Sequence, residues 1–300
     1  MTYIIFKNIF CYYFYGIILN LNTMKKIIVP IDFSEYSEYA LQTASFIAKK
    51  INAKILAVHM LEGSDSNLTK SSYTKNKEKF FYLKLAEKKF KSLLDKDYLK
   101  GVKVKPMIAN QKDFKDLSDI GCKEHADLII MGSQGVFGFK ELFVGSNTEK
   151  VVRNAQIPVL VIKGAPVTSS FKAAVFACDF SDEDIAPYRK AKNLLNLLGC
   201  KIQLLYVETP SSKFMSNKER QDKVVRFLTK ADNSLENLNE VTFFPEYSIE
   251  EGILDFANTH GKDLIVMATR GTHGIHHFIY GSISEDVANH ANLPVMTFRI

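Results

Sequence analysis

Lys25-Lys26-Ile27-Ile28-Val29-Pro30-Ile31-Asp32-Phe33-Ser34 is the stretch from which the rest of the chain can be read. Ile27 to Ile31 is a continuous, β-rich apolar run, as expected of a strand buried on both faces. Ser34 follows as a candidate helix N-cap, and Ala40, Leu41, Ala44, Ile47, Ala48 and Ile51 mark one helical face. The strand-turn-helix signature then returns. Cys178-Asp179-Phe180-Ser181 stands 147 residues after Ile31-Asp32-Phe33-Ser34, and Ala53 to Met60 recurs at the same offset as Cys200 to Val207.

Further along the offset shortens. Asp127-Leu128-Ile129-Ile130-Met131-Gly132 recurs as Asp263-Leu264-Ile265-Val266-Met267-Ala268, now 136 residues on. Gly145-Ser146 and Gly281-Ser282 keep that offset, as do Ile157-Pro158-Val159 and Leu293-Pro294-Val295. The whole domain is therefore duplicated, and the second copy lacks about eleven residues from its middle. We read domains at 24–163 and 172–300, joined by a turn-rich linker at 164–171.

Within the first copy, a strand at Lys54–Met60 precedes a lysine-rich helix around Lys75–Leu94. A strand near Val102–Ala109 and a helix from about Asp113 to Glu124 follow. Strands at Leu128–Met131 and Val159–Ile162 flank a helix near Ser146–Asn154. Strands alternating with helices predict an α/β fold of two tandem doubly wound domains, each a five-stranded parallel sheet with helices on both faces. Ligands of such sheets bind beyond the strand C-termini, at the topological switch point.

The bulk numbers fit two ordinary cores. The chain has 300 residues with 46% apolar content and a net charge of +6, too modest to indicate nucleic-acid binding. Cys11, Cys122, Cys178 and Cys200 form no C-x-x-C pair or zinc-like spacing, so each is read as a small apolar residue in a reduced, cytoplasmic setting. Tyr3 to Leu21 is almost entirely apolar or aromatic, with Lys7 its only charge, and is about as long as a membrane span. No A-x-A-like cleavage site follows, and Met24 opens a start-like Met-Lys-Lys before the first strand. The expectation is that residues 1–23 are upstream translation or an optional extension; a membrane anchor is the alternative.

The segment that carries chemistry is Met131-Gly132-Ser133-Gln134-Gly135, then nine residues, then Gly145-Ser146-Asn147-Thr148. It begins where a strand ends and finishes where a helix begins. Gly132 and Gly135 permit positive φ and close approach of an anion. Gly145-Ser146 offers a helix N-terminus to phosphate, with the Ser146 and Thr148 hydroxyls beside it. The spacing is neither a P-loop nor G-x-G-x-x-G, and no lysine stands in the Walker position. Glycines that merely permit turns are the alternative account.

Taken together, Val29-Pro30-Ile31-Asp32-Phe33-Ser34, Val58-His59-Met60, the glycine segment and Ile157-Pro158-Val159-Leu160 resemble the universal stress protein family in its tandem form, over Met24 to Ile300. ATP-binding members of that family carry G-x2-G-x9-G-[S/T], which Gly132, Gly135, Gly145 and Ser146 match. The resemblance implies an adenine nucleotide alpha hydrolase-like strand order of 3-2-1-4-5. It implies ATP as ligand, with or without magnesium. Pro30, Ile31 and Asp32 would hold adenine and ribose, Met60 would pack on the base, and Met131 and Gly132 would line the ribose. Ser133, Gln134 and Gly135 with Gly145, Ser146, Asn147 and Thr148 would surround the phosphates. It also implies pairing of last strands, as a homodimer or, within one chain, as a pseudo-dimer through Val159–Ile162 and Val295–Arg299.

The second copy departs from the pattern. Ala268 replaces the first glycine, Thr269-Arg270 replaces Ser133-Gln134, and Ala177 replaces Pro30. Gly271, Gly281, Ser282 and Ser284 survive. A second site built on Asp179, Val207, Arg270, Gly271, Gly281, Ser282 and Ser284 is therefore read as weakened or lost, although Arg270 could pair with phosphate. His273, His276 and His277 lack an acidic or cysteine companion in their loop and are read as polar loop residues, without a metal. His59, on an apolar strand, is read as structurally satisfied.

No base-nucleophile pair or metal cage accompanies the glycine segment. The expected function is an ATP-binding regulatory protein of the stress response with at most slow hydrolysis, acting on an unidentified protein partner. The alternatives are a nucleotide-free interaction scaffold and a slow ATPase or phosphotransferase.

Overall fold

The computed structural model describes residues 24–61, 72–109, 116–133, 146–269 and 279–300. The expectations for residues 1–23, for Gln134, Gly135, Gly145, Arg270 and Gly271, and for the three clustered histidines fall outside these residues.

The first domain runs β1 (Lys26–Pro30), α1 (Glu35–Ile51), β2 (Lys54–Met60), α2 (Ser72–Leu94), β3 (Lys103–Ala109), α3 (Asp116–Lys123), β4 (Leu128–Gly132), α4 (Ser146–Asn154) and β5 (Val159–Ile162). The second runs β6 (Ala173–Ala177), α5 (Ile185–Leu197), β7 (Lys201–Glu208), α6 (Asn217–Asp232), β8 (Val241–Pro245), α7 (Ile249–Thr259), β9 (Leu264–Thr269), α8 (Ile279–His290) and β10 (Val295–Arg299). Each half has the strand order 3-2-1-4-5, with all pairings inside a half parallel.

The two halves do not form separate sheets. β5 and β10 pair antiparallel, with Leu160 opposite Met296, and so close ten strands into one sheet with β3 and β8 at its edges. This is the pseudo-dimer pairing the tandem form implies. The joint buries two strand edges that would otherwise be free to template other chains. The outer edge β3 carries Lys103, Lys105 and Pro106, residues that discourage further pairing.

The joint also decides where the cores lie. On the sheet face covered by α1, α2, α5 and α6, one apolar cluster runs through both domains, from Ile27 and Leu41 through Leu160 and Met296 to Leu204 and Phe227. On the opposite face each domain keeps its own cluster, around Ile129 and Val151 in the first and Ile265 and Val287 in the second. α4 and α8 meet across the joint on that face. Two cations fasten the arrangement with pseudo-twofold symmetry. Lys163 donates from Nζ to the carbonyls of Ala288 and Asn289 at the end of α8, and Arg299, at the matching position, donates to the Asn154 carbonyl at the end of α4. Each supplies a positive charge to carbonyls that a helix leaves unpaired at its C-terminus.

Local sequence explains the elements. Ser34 caps α1 by accepting the Ser37 N–H at 3.2 Å, with Glu35 and Glu38 in the first turn and Lys49 and Lys50 in the last. Asn52 ends α1 in the left-handed region, and Gly199 takes the same conformation at the matching position after α5. α6 opens with a capping box between Ser216 and Glu219. The segment between the domains lies along α1, where the Val167 N–H donates to Thr43 Oγ1 at 2.9 Å and Lys50 Nζ to Ser170 Oγ at 2.9 Å. One expectation fails on the cysteines: Cys178 and Cys200 are buried, but Cys122 is exposed.

Candidate functional site

The first-domain corner is built where β1 ends. The chain leaves Ile31 and turns through Phe33, whose φ of 64° lies in the left-handed region that a bulky residue rarely enters. Two things hold it there. Asp32 Oδ1 accepts from the Ser34 backbone N–H at 2.9 Å and from its hydroxyl at 2.5 Å, and the Phe33 ring packs on His59 and Phe90 with centroids 4.7 and 5.2 Å away. Sites that store such backbone strain cluster at ligand-binding positions. His59 is satisfied, with Nδ1 2.7 Å from the Ile31 carbonyl oxygen. The Ile31 N–H donates to the Val58 carbonyl at 2.7 Å, so both backbone groups of Ile31 already have partners. The half-buried Asp32 carboxylate is likewise committed through Oδ1 to the Ser34 turn.

Gly132 ends β4 beside that corner, and the structure corrects the reason for its being glycine. Among the described glycines, positive φ occurs at Gly101, Gly199 and Gly261, not at Gly132. The close approach is to protein: a Cβ at Gly132 would lie 2.6 Å from the Tyr36 carbonyl oxygen and 2.8 Å from the Tyr36 Cβ. The glycine lets the first turn of α1 rest on the end of β4.

Thr148 is also reassigned. Its buried hydroxyl donates to the Gly132 carbonyl at 2.9 Å, which ties the first turn of α4 to β4 and spends the donor expected for phosphate. The Ser133 N–H is likewise spent, donating to the Ile162 carbonyl at 2.9 Å. Pro30, Met60 and Met131 are buried at the ends of their strands, and Asn147 is half-buried in the first turn of α4. Ser146 is the first residue of α4. The described part of the candidate set thus converges on the C-terminal ends of β1, β2 and β4 and the N-terminus of α4, joined through the Tyr36–Gly132–Thr148 contacts. Among the described residues no group of three or more His, Cys, Asp or Glu side chains is placed to hold a metal ion.

The second-domain corner repeats the strain and then diverges. Phe180 has φ 59°, Asp179 Oδ1 accepts the Ser181 N–H at 2.8 Å, and the Phe180 ring packs on Tyr206 and Phe227. After Ser181 comes a 3-10 turn at Asp182–Asp184, and α5 begins only at Ile185. The residue matching Tyr36 is Glu183, within that turn, and the methyl of Ala268 is buried at the end of β9. The loss of the glycine accompanies a rebuilt helix start.

Asp184 is buried, and its Oδ2 accepts the Asp179 N–H at 3.1 Å. Burial first, with Asp184 next, pushes the Cys178 thiol well above its usual range, so this cysteine stays protonated and unreactive. Val207, at the Met60 position, is covered: a Cβ at Gly252 would lie 2.5 Å from its Cγ1. Gly281 and Ser282 fall within α8, and Ser284 is buried in it. Sequence reasoning foresaw the Gly132 to Ala268 exchange but missed the turn that accompanies it; the acidic run Asp182-Glu183-Asp184, where the first copy has Glu35-Tyr36-Ser37, was its one visible sign.

These features define a class: a tandem pair of doubly wound α/β domains sharing one ten-stranded sheet. The Universal stress protein family model matches residues 23–163 and again 170–299, and the chain belongs to that family. A universal stress protein of Synechocystis is 24% identical over 298 residues, covering 92% of this chain and all of that protein. One from Methanocaldococcus jannaschii is 30% identical over 152 residues, 47% of this chain and 84% of that protein. The crystal structure of a universal stress protein from Archaeoglobus fulgidus superposes with a TM-score of 0.62 over 92% of this chain and 97% of its own, at 21% identity. Among the described residues, no helix is long and apolar enough to cross a membrane.

Proposed function

We propose that the first domain binds ATP at the corner formed by Asp32, Met60, Gly132 and the N-terminus of α4, and that the second domain does not bind nucleotide. The observation that carries this is the contact from the β1 turn through Gly132 to the first turn of α4. It supports a reading in which Asp32 would meet ribose hydroxyls and the α4 N-terminus would meet phosphate beyond the strand ends. The phosphates would sit in the segment from Ser133 to Ser146, which includes Gly135 and Gly145. In the second domain a 3-10 turn at Asp182–Asp184 stands where the first has the opening turn of its helix, and the buried Asp184 carboxylate accepts the Asp179 N–H there, which supports the loss of a nucleotide corner.

No lysine stands in the Walker position of the glycine segment, which supports retention of nucleotide over turnover. The protein then acts as a regulator whose surface reports nucleotide occupancy to another protein. A thermal melt of the full chain with and without ATP tests this. A ligand binding only the folded state raises the midpoint by mass action. The rise should survive Asp179→Ala and vanish in Asp32→Ala. Both substitutions remove a bond to the backbone N–H of the following serine, and Asp32→Ala also loses the Ser34 hydroxyl bond, so each rise is read against the same variant's own melt without ATP. No rise in the unaltered protein would leave the scaffold reading in its place.

A further inference from the structure

A second cavity lies in the other domain and away from this corner. About 630 Å³ opens beyond the C-terminal ends of β7 and β8, between the loop that leads into α6 and the turn that leads into α7. That volume is within the usual range for small-molecule sites, and the position is where parallel sheets place ligands.

Its walls are built. The Thr209 N–H donates to Ser212 Oγ at 3.0 Å, and the Ser212 N–H donates back to the Thr209 carbonyl at 2.8 Å, which closes the loop on itself before the Ser216 capping box begins. At the base, Arg220 pairs with both oxygens of Glu208 at 2.7 and 2.9 Å and lies over the Phe243 ring. That pair neutralises itself. Two aromatic side chains on opposite segments of the lining, Phe214 and Tyr247, are each 84% exposed, far more than any other large apolar side chain described. Lys213 also lines the cavity, next to Phe214 in the chain, and its charge acts on Glu219, whose carboxylate is engaged by the Ser216 N–H and hydroxyl.

We propose that this cavity binds a flat aromatic molecule carrying an anionic group, the ring held by Phe214 and Tyr247 and the anion by Lys213. Exposed aromatics lose their contact with water when a ring stacks on them, and offset or edge-to-face contact adds to the burial. An anion beside Lys213 gains a charge-assisted contact, with Glu208 paired to Arg220 and Glu219 capped by Ser216.

Fluorescence titration of the full chain with 1-anilinonaphthalene-8-sulfonate tests it, with the uncharged N-phenyl-1-naphthylamine as companion probe. The double variant Phe214→Ala/Tyr247→Ala should weaken binding of both probes by about tenfold or more, as loss of central aromatic contacts does. Lys213→Glu should weaken the sulfonate several-fold and leave the uncharged probe unchanged. All three side chains are exposed, so the melting temperature should hold. Unchanged affinity in the double variant would overturn the proposal, as would loss of binding on Phe80→Ser/Phe81→Ser instead, because those exposed residues of α2 form the competing apolar surface. Equal effects of Lys213→Glu on both probes would overturn the anionic part.

Discussion

At the end of the first strand the two domains spell the same Asp-Phe-Ser and turn through the same left-handed phenylalanine; two residues later they part. In the first domain a helix starts at once, and its first turn lies so close to β4 that a glycine is required. In the second a 3-10 turn delays the helix, an alanine fits, and a buried aspartate fills the corner. The difference separates what both domains need for their fold from what only the first keeps. The strained phenylalanine is shared because it seats a ring in the core. The glycine and the prompt helix start belong to the first domain alone, and they are the features on which the proposed nucleotide corner rests.

The largest expected effect tests the shared part. Phe180 is almost fully buried, so Phe180→Ala should cost roughly 3–5 kcal/mol in urea unfolding, and Phe33→Ala, half-buried, less. In both domains glycine should be less harmful than alanine by about 1 kcal/mol, because only alanine keeps the left-handed strain once the ring is gone. Alanine proving better at either position would break the equivalence of the two turns.

The next effect tests the divergent part. Gly132→Ala forces a methyl against the Tyr36 backbone and should destabilise by roughly 1–3 kcal/mol, through overpacking. The reverse exchange, Ala268→Gly, should cost less than about 1 kcal/mol and should not create a second nucleotide site, because the acidic turn remains. Binding gained by Ala268→Gly alone would show that the methyl, not the turn, closed that corner.

A smaller effect contrasts the two cations at the joint. Burial lowers the Lys163 ammonium from 10.5 to about 8, so the folded state releases this proton at a pH where the unfolded chain still holds it. Stability should then rise with pH above about 8, by roughly 1–2 kcal/mol up to pH 9.5, before tyrosines titrate. Lys163→Met should remove that rise and Arg299→Met should leave it in place. The smallest effect is local: Ser216→Ala should cost about 1 kcal/mol by removing the α6 capping box.

Much of this was legible in the chain itself. The duplicated Asp-Phe-Ser and the two offsets placed the strands, because strand-end turns and continuous apolar runs are short-range signals. The limits of α4 and β5 followed from the glycine and proline punctuation around them. Contacts between distant elements were not legible. Nothing local to Gly132 announces that the Tyr36 backbone rests on it, and nothing local to Thr148 announces that its hydroxyl is spent on the Gly132 carbonyl. Lys163 reads as a linker lysine until the antiparallel β5–β10 joint carries it to the end of α8.

The asymmetry of the two corners is tested most directly by isothermal titration of the full chain with ATP, run beside Asp32→Ala and Asp179→Ala. The account predicts one site per chain, abolished by the first substitution and untouched by the second. Two sites per chain, or a single site that Asp179→Ala removes, would contradict it.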